Sequence, residues 1–279
     1  MKRKSLFFLL FVIFLSCNTG NKNVEPTKVT TVAEQTKTKE ITIDKDGSIP
    51  IFYNMYLSVE MSSLFRSIGA TYNQKILNSP DKYNIYNLSS EKAMNLGVFA
   101  VDLSYARYFE QIEEAGKYLK IMHQLSTGLG IPEDKFTTSL KRIENNVSNK
   151  DSLIRIANEL YKNSEKYLKD NDRSSAAALI IVGGWTEALF IATNLTKKGK
   201  QEIELVERIA EQKYSLNNLL DLLKAYDNET IVKEYSALLL DLKSSFARLQ
   251  VNENNMDDTY RQLDDICLKI SGLRKKIVS

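Results

Sequence analysis

Two cysteines, one histidine and one tryptophan are all that 279 residues contain of those types, with only four prolines and eleven glycines besides. Each scarcity excludes something. Two thiols, Cys17 and Cys267, allow at most one disulfide, so a cystine-stapled scaffold is ruled out. No zinc-ligand spacing can be assembled from them. A di-iron centre in a helical bundle needs two Glu-x-x-His pairs on facing helices. The single histidine, His123 in KIMHQLS, has no glutamate three residues before it. Nucleophile elbows of the GxSxG form and phosphate loops of the GxxxxGK[ST] form are absent, and Gly128-Leu129-Gly130 and Gly183-Gly184-Trp185 do not substitute for them. The sequence therefore offers no metal site, no cofactor motif and no catalytic triad. His123 reads as a surface or partly buried residue of a helix.

Charge of one sign is also lacking. The formal net charge is +3, and Lys2, Arg3 and Lys4 account for it. Without them Lys+Arg equals the 35 Asp+Glu, and nothing remains to attract a phosphate backbone. Nucleic acid is not an expected partner.

Those three basic residues begin MKRKSLFFLLFVIFLSC, the most informative stretch of the chain. They form a positive n-region ahead of the apolar run Leu6 to Leu15, with Ser16 as the small residue before Cys17. The run is too short for a bilayer core of ~30 Å, which takes about 20 apolar residues. FLSC resembles a bacterial lipobox, with Phe14 in place of the usual leucine. The expectation is a signal peptide over 1–16, removed ahead of a cysteine that carries acyl chains such as palmitate. Residues 17–49 are polar, rich in Asn, Thr and Lys, and read as the lipidated cysteine followed by a disordered tether. Such a tether reaches roughly 30 Å. Cys267 is then left alone, on the apolar seam of the last helix, as a small buried hydrophobe.

Beyond the tether, residues 50–279 read as one all-α domain, an antiparallel up-down multi-helix bundle with a subdivision conceivable near 198. No alternating stretch long enough for a sheet occurs, and helical periodicity dominates. Helices are expected over 54–78, 90–127, 132–146, 150–169, 173–196, 200–225, 228–250 and 255–277. Ser89 is the candidate cap of the second, Gly128 and Gly130 its end, and Pro132 sits in the first turn of the third. Asn149, Asp151 or Ser152 would cap the fourth. Val232, Tyr235, Leu239, Leu242, Phe246 and Leu249 recur three and four apart. Leu205, Ile209, Leu216, Leu219, Leu223 and Tyr226 do so as well, with Gln212 the polar intruder. A third such seam runs through Met256, Tyr260, Leu263, Cys267 and Ile270, drifting to Leu273 and Ile277. This rhythm is that of bundle packing.

The segment RSSAAALIIVGGWTEALFIATNL is apolar almost all round from Ala176 to Ala192. It reads either as a buried central helix or as a membrane span. Glu187 within it favours burial, and Gly183-Gly184 would let a neighbour approach closely. Asp102 lies in a second apolar stretch, GVFAVDLSYARYF. A carboxylate in such surroundings needs a partner, because burying the charge alone costs several kcal/mol. Tyr105, Arg107, Arg173 and Trp185 are the candidate donors. Together with Asp102 and Glu187 they form either a ligand-binding polar cluster or a structural bridge. Eight of the fourteen tyrosines fall within 53–118, and Tyr83 and Tyr86, in the loop NSPDKYNIYNLSS, are the candidate surface patch.

NLGVFAVDLSYARYFEQ, NNVSNKDSLIRIANELY and AALIIVGGWTEALFIATNL resemble a family of all-helical predicted lipoproteins from Bacteroidota, of uncharacterised function. The resemblance implies an envelope location and a helical fold and adds no activity. It also implies that an acidic cluster after the lipidated cysteine would mark surface display. NTGNKNVE has none, which points to the outer membrane with the domain facing the periplasm. The functional expectation is a membrane-anchored, non-enzymatic binding or scaffold module for a protein or small-molecule partner. The alternative is an envelope enzyme using Asp102 or Glu187.

Overall fold

Helices pack on helices throughout the computed structural model, and no strand occurs among the described residues. Those residues are 69–146, 175–196 and 203–279, with positions 152, 155, 156, 159, 166–168, 170, 171 and 173. All lie in one unit, Ile41–Ser279. We number the helices α1 Ser89–Tyr108, α2 Ile112–Gly128, α3 Glu133–Glu144, α4 Ala176–Leu195, α5 Ile203–Leu223, α6 Thr230–Arg248 and α7 Met256–Val278. Short 3₁₀ turns cover Gln74–Ile76, Pro80–Ile85 and Lys224–Tyr226. The all-α bundle is thus what the periodicity requires. Cys17 and the tether, like the Asn149 and Asp151 cap candidates, lie outside the described residues.

The expected helix over 54–78 does not reach its far end. Gly69 has φ of 66°, and the chain from there is non-helical up to the turn at Gln74–Ile76. The expected helix over 90–127 is two helices, α1 and α2, folded back on each other. They part at Glu110, whose φ of 58° lies in the left-handed region. No glycine or proline marks that corner. It is held by packing instead: the Phe109 ring lies 4.8 Å from those of Tyr105 and Tyr108 and 6.0 Å from that of Tyr72. An aromatic cluster worth several contacts outweighs a left-handed residue costing roughly 1–2 kcal/mol.

Local chemistry sets most other ends. Glu91 reaches back to accept the backbone N–H groups of Asn87 and Leu88, at 2.8 and 3.0 Å, closing the first turn of α1. Ser89 is its first helical residue and Leu88 its cap. α2 ends at Gly128, and Gly130, φ 74°, takes the left-handed turn just beyond it, as expected. Asn255 caps α7 by accepting from Asp258 N–H, with Asp257 in the same turn and Lys275 and Lys276 in the last one.

α4 is the centre. It packs against α1, α5 and α7, and both faces are apolar because both are covered. It is long and apolar enough to cross a membrane, yet 83% of that stretch is buried inside the bundle. α5 and α7 flank it and α6 packs on both of them through the predicted seams: Leu205, Ile209, Leu216 and Leu219, then Val232, Tyr235, Leu239, Leu242 and Phe246, then Leu263, Ile270, Leu273 and Ile277 are all buried. Gln212 is buried among them and donates to the Arg208 carbonyl. Ile266, not on the expected seam, is fully buried, while Cys267 is only partly so. The α7 stripe therefore runs slightly off a 3.5-residue repeat.

The closest approach is between α1 and α4. A Cβ placed on Gly183 would stand 1.9 Å from the Met94 carbonyl oxygen, and one on Gly97 2.0 Å from the Ile180 oxygen. Backbone lies on backbone there. Advancing from Gly97 to Asp102 accompanies advancing from Ile180 to Glu187, so α1 and α4 point the same way, both opposed to α7.

Candidate functional site

Because the α1 and α4 backbones touch at Gly97 and Gly183, the side chains just beyond them share a narrow seam. Asp102 enters it from α1 and Glu187 from α4, both with 0% exposure. α7 lies across the seam and delivers Arg274. Its Nε donates to Glu187 Oε2 at 2.9 Å and its Nη2 to Oε1 at 3.1 Å, a two-pronged pair. Nη2 also points at the Ile76 carbonyl, 3.4 Å away, and the guanidinium carbon sits 4.7 Å from the centre of the Phe190 ring. Two of its nitrogens and one face of the guanidinium are thus engaged.

Asp102 is held differently. Its Oδ2 accepts the backbone N–H of Asn78 at 3.2 Å, and its Oδ1, equally buried, has no donor. The carboxyl stands within hydrogen-bonding reach of Glu187. Burial pushes its pKa well above the ordinary carboxyl value, and the neighbouring Glu187 charge adds to that, while Arg274 pulls the other way. Burial raises Glu187 as well, but Arg274 pairs with it directly and draws it down. Burial works against the Arg274 charge, and Glu187 more than restores it.

A polar ladder extends from this triad to the end of the chain. Asn78 Nδ2 donates to the Tyr86 hydroxyl at 2.9 Å and to Asn95 Oδ1 at 3.5 Å. Asn95 in turn donates to the carbonyls of Glu91 and Ile277, the latter at 2.8 Å. Lys82 Nζ reaches the Val278 carbonyl at 3.2 Å. The final carbonyls of α7, which have no partner within their own helix, are satisfied by the 78–95 segment.

The structure joins Asp102 and Glu187 but supplies a different donor from those expected. Arg107 is exposed on α1. Arg173 donates to the Leu129 carbonyl at 3.1 Å and closes the end of α2. The Trp185 ring is buried with its Nε1 unpartnered, so it packs and does not bind the carboxylates. The Tyr105 hydroxyl serves the irregular backbone at 71–73, accepting from Asn73 N–H and donating to the Thr71 carbonyl. Of the surface pair, Tyr83 is 37% exposed and Tyr86 only 3%. Tyr86 turns inward because its ring packs on Phe99 and its hydroxyl is claimed by Asn78. Arg274 was hidden in the sequence by its neighbours: in LRKK it reads as one of three solvated charges. Only its spacing, four residues after Ile270, hints that it faces inward. Asn78 and Asn95 carry no signal at all, being ordinary turn and helix residues by type.

His123 is half-exposed, its Nε2 3.5 Å from Glu133 and its ring beside Phe136. Among the described residues no group of three or more His, Cys, Asp or Glu side chains could hold a metal ion. Chemically the triad is a joint of two fully buried carboxyl groups and one largely buried guanidinium. It ties the segment at 76–78, α1, α4 and α7 into one register. The chain matches no family model, no curated protein and no solved structure.

Proposed function

We propose that this protein is an envelope lipoprotein, anchored through acyl chains on Cys17 and facing the periplasm from the outer membrane, whose helical body acts as a binding or scaffold module without catalysis. One observation carries the non-catalytic reading: both oxygens of Glu187 are consumed by Arg274, and Asp102 is sealed beside them with no exposure. A general acid or base must present its oxygen to a substrate. A register-fixing bridge must do the opposite, and a satisfied buried pair is what such a bridge looks like. The leader and the Cys17 context support the anchoring, since two or more acyl chains hold stably where one does not. The partner is a protein or small molecule of the envelope.

Two measurements on native cells test this reading. Acyl labelling and membrane association are expected in the parent and absent in Cys17→Ser. Equal membrane retention by that variant would overturn the anchoring. Crosslinking in intact envelopes, followed by mass spectrometry, is expected to recover the same partner from the parent and from Asp102→Asn. An associated activity that disappears in folded Asp102→Asn would instead establish the enzyme alternative.

A further inference from the structure

We infer that Asp102 and Glu187 share one buried proton, resident on Asp102 Oδ1, and that this proton fastens α1 to α4 beside the ion pair through which α7 is held. The geometry leaves little choice. Two carboxyl groups are fully buried against one guanidinium. Glu187 spends both oxygens on that guanidinium, so it is the ionised member. Asp102 has Oδ2 on the Asn78 N–H and Oδ1 on no donor, although Glu187 is within hydrogen-bonding reach. Two carboxylates offer only acceptors to each other, and a proton on Oδ1 turns that repulsion into a donated bond. The joint then carries one negative and one positive charge, and the orphaned oxygen is satisfied.

The other titratable groups around the joint do not compete for this role. Tyr86, Tyr118 and Tyr72 face Asp102 from the 80–86 segment, α2 and the 70–73 stretch, and all three are held protonated, chiefly by burial. Glu114 and Lys117 act on Tyr72 from α2 and do not appear among the groups that govern Asp102. Arg274 is the cation that does. Burial raises Asp102 most, as the geometry demands.

The sign of the pH response follows. A carboxyl that holds its proton more tightly when folded adds most to stability at low pH. That contribution declines as pH climbs from the ordinary 3.8 toward the folded value. For one proton the unfolding equilibrium shifts about tenfold per pH unit, about 1.4 kcal/mol. Asp102→Asn places a permanent N–H donor where the proton sits and lacks this slope.

Infrared difference spectroscopy of the full chain reads the proton directly. At neutral pH the parent is expected to show the carbonyl stretch of a protonated carboxyl, shifted by carboxyl-¹³C aspartate labelling and not by labelled glutamate. No such band at neutral pH, or one that follows glutamate, overturns the inference. Unfolding midpoints of the parent and Asp102→Asn, measured from pH 4 upward, are expected to diverge in favour of the variant at about a tenfold change in equilibrium per pH unit. Parallel curves overturn it as well. The labelling experiment needs no variant, so it stands even if Asp102→Asn does not fold.

Discussion

Gly183→Ala is the sharpest test of how α1 and α4 meet. The added Cβ would lie 1.9 Å from the Met94 carbonyl oxygen, 2.6 Å from its carbon and 2.9 Å from its Cα. All three are backbone atoms, so no rotamer change can yield. An ordinary carbon–oxygen contact needs about 3.3 Å, so the helices must part by more than 1 Å. A gap of 0.5–1 Å already forfeits roughly a quarter to a half of each dispersion contact along a seam. The separation would also stretch the joint between Asp102 and Glu187. Overpacking typically costs about 1–3 kcal/mol, and a clash with backbone belongs at or above the top of that range. Alanine returns about 1 kcal/mol of helix propensity. The net expectation is a loss of about 2 kcal/mol or more, a large part of the roughly 5–15 kcal/mol that holds a domain together. Gly184→Ala is the internal control. Its Cβ would meet the Gly97 oxygen at 3.4 Å, an ordinary contact, so it is expected to be neutral or stabilising by up to about 1 kcal/mol. Urea unfolding followed by the fluorescence of Trp185, the one tryptophan and a neighbour of both glycines, measures the two variants. Stabilities within about 0.5 kcal/mol of each other would refute the close crossing.

Three further outcomes follow from named contacts. Arg274→Met leaves Glu187 buried beside no cation and is expected to destabilise by about 3–5 kcal/mol, whereas Glu187→Leu with Arg274→Met recovers most of that loss; chemical denaturation of the single and double variants checks it, and equal losses would argue against a buried pair. Gly116→Ala and Gly272→Ala, where a Cβ meets nothing within 4 Å, are each expected to stabilise by roughly 0.5–1 kcal/mol in thermal melts. Destabilisation at either would mean a neighbour lies closer than the fold implies. Burial pushes the Cys267 thiol up to about 11 from 9.0, so a thiol reagent at neutral pH should react about a hundredfold more slowly with native than with urea-unfolded protein; equal rates would place the sulfur in solvent.

Legibility of the site divided along the same lines as legibility of the fold. Asp102 and Glu187 stood out because a carboxylate inside an apolar stretch is an anomaly whatever its surroundings. Their partner did not, because an arginine among lysines is ordinary, and which of several arginines arrives depends on where a helix 87 residues away is laid down. Arg107 and Arg173 were closer in sequence to the acids, yet Arg107 lies exposed on α1 and Arg173 closes the end of α2. Tyr83 and Tyr86 share a turn and a residue type, and a single hydrogen bond to Asn78 separates an exposed ring from a buried one.

The order of local forces explains the rest. Periodicity, caps and the glycines at 128 and 130 are properties of neighbouring residues, so the all-α class and most helix ends were already present in the sequence. The break at Glu110 was not, since it is imposed by the rings of Phe109, Tyr105 and Tyr72 closing on one another across 30-odd residues of chain. The burial of α4 was favoured there by Glu187 but not fixed, because a twenty-residue apolar helix suits lipid as well as protein until its neighbours are known. The tertiary structure decided that question by laying backbone on backbone at Gly97 and Gly183, a distance that only folding can set.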